Sequence, residues 1–231
     1  MLSGMNQGPT WLYLHGFASS PASNKARAFV KWGEEHGLAV RALDLRVPSL
    51  EHLRFSSILL RVRAEIGAED RVVLIGSSLG GLTACRVAEV EPRVCALFLM
   101  APAFRLAERW RARLGEDAWR RWKEQDALEV PDHATGKTTF VDHGFVAELE
   151  ALDVGFPDVR VPTCIVHGTK DDVVDVELSR AWARDRRHVR LVEVDDGHEL
   201  ARSVPRILAE ATAFFAPFGV QAASENRSIT R

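Results

Sequence analysis

Residues 71–91 read RVVLIGSSLGGLTACRVAEVE, and this stretch decides the fold. RVVLIG (71–76) is a near-continuous apolar run, the pattern of a strand buried on both faces. LGGLTACRVAEVE (79–91) has helical spacing. Between them, Gly76-Ser77-Ser78-Leu79-Gly80 fits G-x-S-x-G with Ser78 at the centre. The strand-then-helix setting explains each part. The sharp turn holds the serine in a strained backbone, with its Oγ projecting from the strand end. The flanking glycines keep Cβ atoms out of a close strand–helix approach. The helix N-terminus brings backbone N–H groups to the place where an oxyanion develops. Ser77 does not fit the pattern, because Ile75 stands two residues before it.

Outward from this turn, apolar runs alternate with amphipathic stretches. Strands are expected at 11–15, 38–45, 71–76, 93–102, 161–168 and 188–194, and helices at 22–36, 50–66, 79–91, 176–187 and 201–216. This β-then-α order predicts an α/β fold, with a mostly parallel central sheet and helices on both faces. The segment from about 104 to 157 breaks the rhythm. It reads as two short helices (104–114 and 116–126), a turn or hairpin around ATGK (134–137) and a helix at 143–152. The whole chain, 1–231, therefore reads as one domain carrying a small helical cap insertion, with a small, polar and frayed tail over 219–231.

The elbow resembles the nucleophile turn of the α/β-hydrolase superfamily, in which the acid and then the base follow later strands. Of eight histidines, His198 in VDDGHELA sits past the last strand and before the last helix, where the base belongs. The acid belongs after the preceding strand. There HGTKDDVVD (167–175) offers Asp171, with Asp172 as the alternative and Asp175 as a plausible N-cap. The backbone N–H of Leu79 is one expected oxyanion donor. The other is Phe17, in the HGF loop after the first strand, where Gly16 lets the chain turn toward the serine and His15 braces the loop. His133 and His143 fall in the insertion, outside the expected order.

Four ordered motifs carry the resemblance over nearly the whole chain: LYLHGF (12–17), GSSLGG (76–81), HGTKDDVV (167–174) and DDGHEL (195–200). HGFASSPASNKA (15–26) is narrower and looks like the small bacterial YqiA/YcfP-type serine esterases. The Trp-rich insertion and the HG-x-K-DD-V-V stretch also look like the mitochondrial acyl-protein thioesterase branch. Asp175 stands where that motif usually has proline. The resemblance implies hydrolysis of carboxylic esters of small or short-acyl substrates through a Ser78–His198–Asp171 triad and an acyl-enzyme. It implies no metal and no organic cofactor. The alternatives are a thioesterase acting on acyl-protein or acyl-CoA, a C–C hydrolase or perhydrolase, and a non-catalytic hydrolase-fold binding protein. The intact triad speaks against the last.

Composition narrows partners. Thirty basic and 32 acidic residues in 231 give a net charge of −2, with no broad basic footprint for nucleic acid. No apolar run reaches a membrane span, and MLSGMNQGPT is not a signal peptide. Three cysteines without metal spacing read as thiols in a reducing, cytoplasmic setting. No G-x-x-x-x-G-K-S/T is present, which disfavours nucleotide hydrolysis. The insertion is the expected roof of the site, with Gly16, Phe104, Trp110 and Phe145 as pocket residues. Trp119 and Trp122, three apart on one helix face, read instead as packing. Seven Arg/Lys between Arg105 and Lys123 either steer an anionic leaving group or form a solvated face.

Overall fold

The computed structural model describes residues 8–220. In chain order they form β1 (Thr10–Leu14), α1 (Asn24–Glu35), β2 (Val40–Leu43), α2 (Phe55–Ile66), β3 (Val72–Ser77), α3 (Leu79–Ala88) and β4 (Val94–Met100). The insertion follows as α4 (Leu106–Gln125), β5 (Leu128–Asp132), β6 (Lys137–Val141) and α5 (Gly144–Leu152). The chain then returns through β7 (Thr163–Gly168), α6 (Val176–Ala183), β8 (Val189–Val194) and α7 (Val204–Phe215).

Six strands make one fully parallel sheet in the order β2-β1-β3-β4-β7-β8. Alternation along each strand divides the core in two. Trp11 and Tyr13 of β1, Val73 and Ile75 of β3 and Phe98 of β4 pack with Phe29 and Trp32 of α1 and Phe215 of α7. Their neighbours Leu12, Leu14, Leu74, Leu97 and Leu99 face the other way, against α2, α3 and the insertion. Both faces are thus covered, which is why the strand sequences are apolar throughout.

β1 connects to β2 on one side while its neighbour β3 connects to β4 on the other, so the chain leaves these adjacent strands in opposite directions. A crevice opens at such a switch point beyond the carboxyl ends of the strands. The loops after β1, β3, β7 and β8 all reach that edge.

Some boundaries shift for local reasons. The helix expected from residue 50 starts at Phe55, because Ser49 Oγ accepts from His52 N–H (3.2 Å) and holds a turn first. By contrast, α4 is interrupted at Gly115 (φ 76°, ψ 161°), whose non-helical backbone divides it into two helices where the sequence separates 104–114 from 116–126. The ATGK turn closes an antiparallel hairpin, β5–β6, in which Asp132 caps the turn and Gly136 adopts φ 71°. Val220, within the tail expected to fray, is buried in the core under α7. Residues 221–231 of that tail lie outside the described residues.

Candidate active site

The elbow is built by backbone crowding. Ser78, between β3 and α3, stands at φ 54°, ψ −116°, in the region L-residues avoid. Its amide donates to Met100 O (2.9 Å), and its carbonyl accepts from Ala103 N (3.0 Å) and Gly81 N (2.9 Å). The end of β4 therefore fixes the strained residue on both sides. A Cβ on Gly76 would sit 2.4 Å from Gly80 O, and one on Gly80 2.1 Å from Leu14 O. No side chain fits either position.

Ser78 Oγ lies 3.1 Å from His198 Nε2, and His198 Nδ1 lies 2.8 Å from Asp171 Oδ2. Ser78 and His198 are half-buried, whereas the Asp171 side chain is fully buried. Asp171 is held by more than His198. Its Oδ1 accepts from Val173 N (2.9 Å) and Val174 N (2.7 Å), and its Oδ2 also takes His167 Nε2 at 3.1 Å. Burial favours the neutral acid, but the hydrogen bonds from His167, His198 and Val174 outweigh it and hold the carboxyl well below the usual range. His167 Nε2–H also reaches Val174 O (2.9 Å), so Nδ1 accepts from the Ser179 hydroxyl (2.8 Å). Asp172 is exposed, and Asp175 caps α6 by accepting from Glu177 N (2.9 Å).

The base loop is tied just as firmly. Asp196 accepts from Gly197 N, Arg202 N, Ser203 N and Ser203 Oγ at 2.8–3.0 Å. Lys25 of α1, whose side chain is 13% exposed, donates to Glu199 O (2.7 Å) and pairs with Glu199 Oε2 (3.1 Å). Gly168 lets the acid loop pass the base loop, since a Cβ there would lie 2.3 Å from Asp196 O. His167, Ser179, Asp196 and the Lys25–Glu199 pair were not singled out by sequence reasoning. The available signal was His167 four residues before Asp171, at the end of a strand otherwise apolar.

Gly16 faces the serine, and a Cβ on it would sit 3.3 Å from Ser78 Cβ. His15 bridges the loop base: Nδ1 donates to Gly16 O (2.8 Å) and Nε2 accepts from Leu45 N (3.0 Å). Burial lowers its pKa, which suits that neutral tautomer. Among the described residues, the amides of Phe17 and Leu79 donate to no acceptor.

Ser78 opens into a cleft of about 860 Å³ with two walls. One is apolar, formed by Phe17, Leu106, Trp110 and Val173. The other is polar, formed by Ser19, Ser20, Ser23 and Asn24 at the start of α1, with His133 of the hairpin tip. His133 N donates to Ala18 O (2.9 Å), joining the insertion to the HGF loop. Gly16 and Trp110 line the cleft. Phe104 and Phe145, expected from sequence to line it, do not, which corrects that expectation. Phe104 is fully buried between Phe156 and Trp182. Phe145 is fully buried behind Phe17, stacked at 5.6 Å, and braces the wall without forming it. Trp119 and Trp122 pack, as their spacing suggested, and Phe140 is exposed on the hairpin.

The cationic run of the insertion is a solvated face. Arg105, Arg111 and Arg120 pair with Glu108, Glu116 and Asp117. Arg109 alone of the run reaches the cleft. Its Nε donates to Phe104 O (2.9 Å) and its Nη1 to Val173 O (2.6 Å), strapping α4 to the acid loop. Burial lowers its pKa to about 10. Among the described residues, no group of three or more His, Cys, Asp or Glu is placed to hold a metal ion, and no helix is long and apolar enough to cross a membrane.

Residues 10–216 match the model of the uncharacterised protein family UPF0227. The chain belongs to that family. No curated protein sequence matches it. Its solved structural neighbours include mouse alpha/beta hydrolase domain-containing protein 10, at 20% identity and TM-score 0.77, covering 91% of this chain and 92% of that one. Est1E from Butyrivibrio proteoclasticus with ferulic acid bound superposes at 21% identity and TM-score 0.71, covering 90% of each chain. An esterase domain from a Rhodothermus marinus protein does so at 19% identity and TM-score 0.62, covering 92% of this chain and 89% of that one. The fold of this UPF0227 member is therefore that of the α/β-hydrolases.

Proposed function

We propose that this protein is a serine hydrolase that cleaves carboxylic esters of small or short-acyl substrates. The observation that carries the reading is the Ser78–His198–Asp171 relay, 3.1 and 2.8 Å between partners, set at a strained elbow facing a cleft. In this reading Ser78 Oγ attacks the acyl carbon while His198 Nε2 takes its proton. Asp171 fixes the Nδ1–H tautomer and stabilises the imidazolium. The amides of Phe17 and Leu79 receive the oxyanion, each worth about 3–4 kcal/mol when removed. His198 then protonates the leaving group and activates water to release the acid from Ser78. The apolar wall of Phe17, Leu106, Trp110 and Val173 takes the acyl chain. Three free thiols, Cys85, Cys95 and Cys164, fit a reducing, cytoplasmic setting.

A fluorophosphonate probe, followed by mass spectrometry of the modified peptide, is expected to label Ser78 alone. Ser78→Ala is expected to lower ester turnover by about 10⁴-fold or more, with its folded spectrum retained. Turnover near wild type in that variant sinks the assignment. Matched oxygen and sulfur butanoyl esters then separate esterase from thioesterase, because the same triad serves both.

A further inference from the structure

Asp171 Oδ2 is shared by two histidines: His198 Nδ1 lies 2.8 Å from it and His167 Nε2 3.1 Å from it. One is the base of the proposed relay, and the other has no place in it. His167 of β7 and Ser179 of α6 behind it are both fully buried. Buried polar atoms are kept paired, and here each ring nitrogen is. Nε2 meets Asp171 Oδ2 and Val174 O (2.9 Å), which only accept, so Nε2 carries a proton. Nδ1 faces Ser179 Oγ at 2.8 Å. Among the described residues that hydroxyl has no other partner, so its proton is used only when Nδ1 accepts it. Ser179, His167, Asp171, His198 and Ser78 thus form one hydrogen-bonded line from α6 to the elbow.

Anchoring the acid does not require His167. Asp171 Oδ1 is already held by the amides of Val173 (2.9 Å) and Val174 (2.7 Å). His167 acts instead on the oxygen that His198 uses. A carboxylate oxygen that serves two donors interacts less strongly with each, and the effect is large where water is excluded. The Asp171 side chain is fully buried. When His198 takes the serine proton, the charge left at Oδ2 is what stabilises the imidazolium.

We propose that His167 is a positioning residue of the relay, acting through Asp171 to set the pH range over which His198 works as a base. The proposal rests on the serine-hydrolase reading above. No proton leaves His167. The serine proton moves from Ser78 Oγ to His198 Nε2 and on to the leaving group, while Asp171 stays ionised and His167 keeps its Nε2–H. The other charges that face this line come from three elements. Arg109 of α4 acts on Asp171. Glu193 of β8 is level with His167 and pairs with Arg180 of α6. Glu199 follows His198 and pairs with Lys25. All of them stay in place when His167 alone is changed.

The test follows the second-order rate at which a fluorophosphonate labels Ser78 in the full-length protein, from about pH 5 to about pH 9. The natural ester need not be known. His167→Leu is combined with Ser179→Ala, so that no hydroxyl is orphaned. In this double variant the acid limb of the profile is expected to move upward by about half a pH unit or more, with the plateau above it kept within about threefold. His167→Asn, whose shorter amide reaches Ser179 but not Asp171, is expected to move the limb the same way and gives the answer if the double variant does not fold. His167→Gln, whose amide N–H takes the place of Nε2–H, is expected to recover about half of the displacement or more. A limb that stays in place without the donor, or a loss of rate equal at every pH, overturns the proposal. Nitrogen-15 NMR of the unaltered protein labelled at histidine is a further check, in which His167 is expected to carry its proton on Nε2 at pH 7. A proton on Nδ1 overturns the proposal as well. If Ser78 is labelled and the limb does not move, only the role of His167 falls. If Ser78 is unlabelled at every pH, the hydrolase reading falls and takes that role with it.

Discussion

The elbow at 76–81 and the insertion at 104–157 meet across one cleft, and different forces hold them. At the elbow, main chain touches main chain. Gly76 and Gly80 are pressed against each other, against Leu14 and against His15 at distances no Cβ survives. The Ser78 backbone is held from β4. In the insertion, aromatic side chains touch one another: Trp110 and Trp122 at 5.6 Å, Trp119 and Trp122 at 5.6 Å, Trp110 and Phe145 at 5.9 Å. Backbone crowding dictates a residue type at each position. Aromatic packing dictates only that volume be filled, so many sequences satisfy it. The proposed nucleophile thus sits on the inflexible part, and the wall proposed to take the acyl chain on the adaptable part.

That difference is broken most sharply at Gly80. Gly80→Ala places its methyl 2.1 Å from Leu14 O and 2.7 Å from His15 O, both main-chain atoms that cannot swing aside. The expected loss is about 5 kcal/mol or more, among the largest for one methyl group. Denaturant unfolding monitored by circular dichroism measures it. A loss under about 1 kcal/mol means that the elbow relaxes, and the contrast with the insertion collapses.

The same physics governs what is legible in the sequence. Residue types forced by backbone approach can be read directly, so the elbow, the strand order of the motifs and the positions of Ser78, Asp171 and His198 follow from 71–91, 167–175 and 195–200. The pocket residues are harder. Phe104, Trp110 and Phe145 are all large and aromatic in one segment, and sequence gives no ground for choosing among them. Only the packing direction puts Trp110 on the wall and hides Phe104 against Trp182. His167 is concealed in the sequence for a related reason. A histidine that closes a buried strand looks like any core residue until its Nε2 is found on Asp171. The Lys25–Glu199 tie joins residues 174 apart, and no local pattern signals it.

Trp122 tests the adaptable side. It is almost fully buried, and its Nε1 donates to Val141 O (2.9 Å) while its ring packs on Trp110. Trp122→Ala is expected to cost about 3–5 kcal/mol, whereas Trp122→Phe is expected to cost about 1–2 kcal/mol, mostly the lost hydrogen bond. Thermal unfolding of the two variants checks both. The effect is expected to pass to the cleft through Trp110, which packs edge-on against Phe17 at 4.9 Å. It should therefore raise KM for short-acyl esters more than it lowers kcat. Equal losses in both variants mean that the ring volume is not what holds the insertion.

The acid loop combines the two modes, with a side chain held by backbone amides, and its signature is a dependence on pH. The Asp171 carboxyl titrates well below its ordinary 3.8, because burial is outweighed by hydrogen bonds from His167, His198 and Val174. Between those values the unfolded chain binds a proton that the folded chain does not. Stability from this group is therefore complete above the ordinary value and is lost as pH falls through the folded one. Asp171→Asn keeps the shape but removes the charge. It is expected to cost about 2 kcal/mol at pH 7, and to unfold less steeply than the parent as pH drops below 3.8. Urea midpoints from pH 7 down to pH 2 measure both. Two curves that stay parallel over that range mean that the four donors hold the acid in place without favouring its charge, and the tautomer control assigned to Asp171 loses its electrostatic basis.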